Sequence, residues 1–186
     1  MSVQIAKRCF TVAEYYRMAE AGILTEDDRV ELIEGEIIEM SPIGSRHAAC
    51  VGRLTEILLQ HVVGKAIVWV QNPVRLDEYN EPEQDVALLK RRVDFYSERH
   101  PTPADVLLVV EVADTSTVYD RSIKVPLYAR AEISEVWLVD LTKEVIEVYA
   151  QPVNGAYQIS RKAGRSESIT SQTIPELTLS VDAILG

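Results

Sequence analysis

Apolar and polar positions change period several times along the chain, and each change marks an element. In residues 11–21, Val12, Tyr15, Tyr16 and Ala19 recur at helical spacing; Thr11 stands at the N-cap, Glu14 completes a capping box, and Gly22 ends the helix. Residues 29–40 alternate about a central Glu-Gly, with Val30, Leu32, Ile37 and Ile38 apolar, which predicts a hairpin closed by Ser41-Pro42. Residues 45–63 form an amphipathic helix with Cys50, Val51, Leu54, Ile57, Leu58 and Val62 on one stripe and Arg53, Glu56 and Gln60 facing away; Gly64 stops it. A β-branched run at 66–70, continuing toward Leu76, and a second run at 85–89 predict two strands joined by a polar turn through Asn80-Glu81-Pro82.

Residues 105–113 are almost continuously apolar, as in a central strand covered on both faces, and Glu111 is the one charge that interrupts the run. Helical periodicity follows over 115–131, where Pro126 removes an amide donor and predicts a late start or a kink. Strands at 135–140 and 145–149 flank Thr142-Lys143, and Asn154-Gly155 turns the chain into another strand at 157–160. The stretch 166–173 reads as surface loop. Within this order lies α-β-β-β-α-β, and the last helix is a crossover that makes the strands at 105–113 and 135–140 parallel. The expectation is an α/β fold with a central mixed sheet, an N-terminal helix and hairpin, and additional C-terminal strands.

A chain of 186 residues, 47% apolar, suits one domain spanning residues 1–186, with its core over about 45–150. No apolar stretch approaches a membrane span, and the N-terminus lacks the apolar region of a signal peptide, so the expected address is cytoplasmic with no membrane partner. Cys9 and Cys50 are too few for a disulfide framework or a thiolate zinc site and read as incidental thiols without a disulfide partner. The net charge of −10 repels a polyanion at long range, so any phosphate contact must be local. Lys90, Arg91, Arg92, Arg99 and His100 are the densest basic group, with a solvated loop as the plainer reading.

Antiparallel pairing of 85–89 with 105–113 brings Asp85 beside Glu111. Strands lie about 5 Å apart, and two carboxylates so placed raise one another's pKa unless a cation neutralises them. A hard divalent ion suits that pair, because Mg²⁺ takes one or two carboxylates and keeps several waters. The competing reading has Asp85 capping a turn and Glu111 paired with a lysine or arginine. Asp120, Lys124 and Tyr128 recur every four residues, on one helix face; Lys124 either serves the site or forms an ordinary pair with Asp120. His47 is in line with the apolar stripe of its helix, where a hydrogen-bonded core histidine is commoner than a ligand. Glu56 lies on the far side and is discounted. Glu31, Glu34 and Glu36 form either an acidic wall or the wet face of a strand. Glycine series for phosphate loops, GxSxG elbows and HExxH helices are missing.

The runs Val30-Glu-Leu-Ile-Glu-Gly-Glu-Ile, Met40-Ser-Pro followed by His47, Asp85-Val-Ala, Glu111-Val, Asp120 with Lys124 and Tyr128, and Glu135-Val-Trp-Leu-Val-Asp140 resemble the Uma family of restriction-endonuclease-like proteins, abundant in cyanobacteria. The resemblance spans roughly residues 11–149 and implies the core of the PD-(D/E)XK nuclease superfamily. It makes Asp85 and Glu111 metal ligands, joined by the carbonyl of Val112, with Mg²⁺ or Mn²⁺ as cofactor. Gln84 stands where the superfamily motif has proline and Ala113 where it has lysine. The family moves that lysine to the following helix, which makes Lys124 its replacement, and the superfamily's early helix glutamate has no match beyond His47 or Glu31. The implied activity is metal-dependent endonucleolytic hydrolysis, with DNA as substrate and, by analogy, a homodimer. The catalytic set it gives is Asp85, Glu111, Lys124, His47, Glu31 and Tyr128. The alternative is a nuclease fold kept as a non-catalytic interaction or dimerisation scaffold.

Overall fold

The computed structural model describes residues 7–186. Helix α1 (Val12–Glu20) starts from Thr11 with the capping box closed by Glu14. The hairpin of β1 (Val30–Ile33) and β2 (Glu36–Glu39) turns at Glu34 and Gly35, both at positive φ, the geometry of a two-residue primed turn. A side chain at Gly35 would also press into Cys9, so glycine is needed there twice over.

Helix α2 (Ser45–Val62) leads into β3 (Ala66–Pro73), β4 (Glu83–Lys90) and β5 (Val106–Ala113). The segment after β5 is divided: α3 (Thr117–Tyr119), a π-helical turn over Asp120–Lys124, and α4 (Val125–Arg130). Pro126 explains the division. It cannot donate to the carbonyl four residues back and its ring crowds that carbonyl, and a widened turn accommodates both effects. Strands β6 (Glu135–Asp140), β7 (Val145–Val153) and β8 (Ala156–Gly164) follow.

Six strands form one sheet in the order β3-β4-β5-β6-β7-β8. All neighbours are antiparallel except β5 and β6, which are parallel across the α3–α4 crossover. This is the mixed α/β sheet expected from the pattern. Even-numbered residues of β4 and β5, such as Val86, Leu88, Leu108 and Val110, pack against the apolar stripe of α2. Odd-numbered ones, such as Ala87, Leu89 and Val109, pack against Leu127 and Tyr128 of α4. A buried layer therefore lies on each face of the sheet.

Two expectations need correction. Residues 166–173 are not a surface loop: β9 (Ser168–Thr170) pairs with β10 (Thr178–Ser180), and α5 (Val181–Leu185) continues from it. Buried Glu135 holds this segment, accepting bonds from Ser171, Gln172 and Thr173. Polar composition suggested solvent, but a buried carboxylate from another strand supplies the partners. Arg53 does not simply face away either, since it donates to the carbonyls of Ile184 and Leu185 in α5.

Candidate active site

The pairing of β4 with β5 runs Leu88 with Leu108, Ala87 with Val109 and Val86 with Val110, and it stops there. The next position would set Asp85 opposite Glu111 on the α4 side of the sheet. Instead of a continued ladder, the backbone amide of Val112 donates to Asp85 Oδ2 at 2.8 Å. A strand residue points its amide and carbonyl toward the same edge, so the Val112 carbonyl also faces the gap where β4 and β5 part. That gap opens into a cleft of about 490 Å³ lined by Glu31, His47, Asp85, Glu111, Val112 and Lys124 among others.

Each side chain comes from a different element. His47, on the first turn of α2, places Nε2 2.9 Å from Asp85 Oδ1, and this bond raises the imidazole pKa despite partial burial. Nδ1 of the same ring is buried without a hydrogen-bond partner among the described residues. The histidine therefore belongs to the cleft, not to the hydrophobic core. Glu111 sits in β5 almost wholly enclosed, and its Oε1 takes the Tyr128 hydroxyl together with the Lys124 ammonium at 3.3 Å. Burial pushes the Glu111 carboxyl up to about 8; Lys124 pulls it down, while Asp85 and Asp120 push it up further.

Lys124 is the hub. From the π-helical turn its Nζ reaches Glu111, Glu31 Oε2 at 3.1 Å and the Glu83 carbonyl at 3.1 Å. Burial alone would lower its pKa, but Glu111, Glu31, Asp120 and Asp85 together hold it above the ordinary lysine value and keep it charged. Glu31 is 4% exposed, so the wet-face reading fails for this residue: its Oε2 also accepts the Glu83 amide, which docks the N-terminal hairpin across the start of β4. Glu34 and Glu36 stay outside, paired with Arg130 and Lys7. Lys124 and Asp120 form no ion pair with each other among the described residues; Asp120 accepts from Ser116 instead, at 2.6 Å. Tyr128 is buried behind Glu111 and does not line the cleft, so it can position the carboxylate but not touch a ligand.

The cleft also contains residues the pattern did not single out: Arg29, Glu39, Gln71, Glu83, Asp114 and Tyr119. Glu83 had a signal, because Glu83-x-Asp85 on one strand places both carboxylates on one face. Gln71, flanked in register by the pairs Val70 with Val86 and Asn72 with Gln84, carries φ +47°, a left-handed conformation beside the Asp85 position. The basic group near Arg91 lies at the other end of β4 and does not border the cleft. Arg92 pairs there with Asp94, and Arg99 with Asp105.

A family described as "Uma2: Putative restriction endonuclease" matches residues 12–182. The chain belongs to the Uma2 family. The resemblance drawn from the short motifs therefore extends over nearly the whole chain. A solved structure described as a putative nuclease belonging to DUF820 from Anabaena variabilis superposes with a TM-score of 0.72, covering 95% of this chain and 97% of that one at 16% identity. Likeness at that identity speaks for a shared fold. No curated protein matches the chain.

The donor set of this Uma2 protein fits a hydrated divalent ion. Among the described residues no three His, Cys, Asp or Glu side chains converge to enclose an ion by themselves, but two carboxylates and a carbonyl leave room for the waters that Mg²⁺ retains. Asp85 and Asp120 add to burial in disfavouring an ionised Glu111, and a cation bound beside it would favour that ionised form.

Proposed function

We propose that this Uma2 protein is a divalent-metal-dependent nuclease that hydrolyses phosphodiester bonds in DNA. Asp85, Glu111 and the carbonyl of Val112 would hold Mg²⁺ or Mn²⁺ where β4 and β5 part. The observation that carries this reading is the end of the β4–β5 ladder at Val86 and Val110, which leaves two carboxylates and a carbonyl facing one cleft.

When bound, the ion supplies Lewis-acid polarisation of the phosphate and lowers the pKa of water. The protein's own groups do the rest. His47 fixes the orientation of Asp85 by bonding one carboxylate oxygen, and the Val112 amide fixes the other. Tyr128 and Lys124 both engage Oε1 of Glu111, leaving Oε2 as the oxygen for the ion. Lys124 carries a permanent positive charge into the cleft, where it stabilises charge developing on phosphate and orients an incoming water. Attack by water on phosphorus forms a P–O bond, breaks the ester bond to the leaving sugar oxygen, and returns a proton to that oxygen.

Incubation of supercoiled and linear DNA with Mn²⁺ tests the proposal. Wild type is expected to cleave, while Asp85→Ala and Glu111→Ala lose at least about a hundredfold in rate. Melting scans add an independent readout: Mn²⁺ should raise the melting temperature of wild type and not of either variant. Equal cleavage by all three proteins would remove the assignment. A melting temperature indifferent to Mn²⁺, with no cleavage, would favour a non-catalytic scaffold.

A further inference from the structure

Tyr119 lines the same cleft from α3, one residue before the π-helical turn that delivers Lys124. Its hydroxyl oxygen is buried, yet no group among the described residues hydrogen-bonds it. A buried hydroxyl left without a partner is destabilising and rare. Glu31, Asp120 and Glu111 all act on this phenol electrostatically, but none of them is hydrogen-bonded to it. Burial, reinforced by those carboxylates against the influence of Lys124, pushes the phenol up to about 12, so it remains an O–H donor at any physiological pH. A neutral donor at an acidic site suits an anion that a cation has already neutralised. It adds no charge of its own to a cleft holding one buried ammonium.

We propose that the Tyr119 hydroxyl is a substrate-binding group that donates a hydrogen bond to a non-bridging oxygen of the phosphate at the cleft, its partner arriving with the nucleic acid. This inference rests on the nuclease reading above and names a residue contact within it. Tyr119 differs in kind from Tyr128, whose hydroxyl is already committed to Glu111. The first is expected to act on substrate, the second on the orientation of Glu111.

The test compares wild type, Tyr119→Phe and Tyr128→Phe in three measurements: melting temperature with and without Mn²⁺, binding of a labelled DNA duplex in Ca²⁺, and kcat/KM for that duplex in Mn²⁺. Removing one hydrogen bond to a charged group should lower kcat/KM of Tyr119→Phe by about 10- to 100-fold and weaken duplex binding in the same direction. Its melting temperature should equal or exceed that of wild type, with the full Mn²⁺ increment, because the lost hydroxyl had no partner. Tyr128→Phe should melt lower. An active wild type with an equally active Tyr119→Phe overturns this inference and leaves the nuclease reading intact. So does a Tyr119→Phe protein that melts lower or loses its Mn²⁺ increment, which would make the phenol a structural group or part of the ion's shell. A wild type that neither cleaves nor binds the duplex overturns the nuclease reading, and this inference with it.

Discussion

Lys124 is almost completely enclosed, and its three partners come from three different strands. Replacing it by methionine keeps much of the volume but leaves Glu31 and Glu111 buried without their cation. Removing one partner of a buried pair typically costs about 3–5 kcal/mol, and a loss of that order is expected for metal-free Lys124→Met in urea unfolding. Mn²⁺ should restore part of it, since the ion supplies the missing charge. A variant as stable as wild type without metal would show that the ammonium does not compensate these carboxylates. Tyr128→Phe is the milder change, removing one donor to a carboxylate and costing about 1–3 kcal/mol by the same measurement. The four-residue spacing of Asp120, Lys124 and Tyr128 was legible in the sequence because helical period fixes a face. Glu31 was not equally legible, because strand alternation gives a face but cannot say which face another element will cover.

At the scale of elements, the π-helical turn sends neighbouring side chains to opposite tasks. Asp120 and Lys124 are buried toward the cleft, while Arg121 reaches β7, donating to both oxygens of Glu147. Burial alone would raise the Glu147 carboxyl, but bonds from Arg121, Lys162 and Tyr149 outweigh it and hold the group at about 2. A depressed carboxylate contributes stability that is present above its unfolded pKa, near 4.5, and lost as pH falls toward 2. Wild type should therefore exceed Glu147→Gln at neutral pH by about 1–2 kcal/mol, a figure discounted because Arg121 and Lys162 are partly exposed. The difference should shrink as pH falls through that window. Urea titrations of both proteins between pH 7 and about pH 2.5 check this, and a constant difference would rule out Glu147 as the titrating group. Pro126 announced an irregularity in this helix, but the form it took depends on the strands and carboxylates the turn faces.

Across the whole molecule, a net charge of −10 and a cleft bordered by Glu31, Glu83, Asp85, Glu111, Asp114 and Asp120 oppose the approach of a polyanion. The densest basic segment lies at the far end of β4, so it does not offset this field at the cleft. Association with DNA is therefore expected to depend on divalent ions even without cleavage. Fluorescence anisotropy of a labelled duplex should give at least about tenfold tighter binding in Ca²⁺ than in EDTA at equal ionic strength. Equal affinity in both would place the DNA contact away from the acidic cleft.

Local pattern was enough to determine the six strands of the main sheet, the two principal helices and the parallel crossover, because periodicity, capping residues and turn residues act over a few neighbours. It also made Asp85 and Glu111 candidates for one site, since a charge inside a β-branched run requires a partner. Tertiary structure alone decided where the β4–β5 ladder ends, that His47 turns to Asp85, and that Glu31 closes over Lys124. It also decided that Tyr119 keeps an unbonded hydroxyl in the cleft, while residues 166–173 pair and pack around Glu135. These outcomes depend on contacts between groups tens of residues apart, whose energies exist only once the sheet has brought them together.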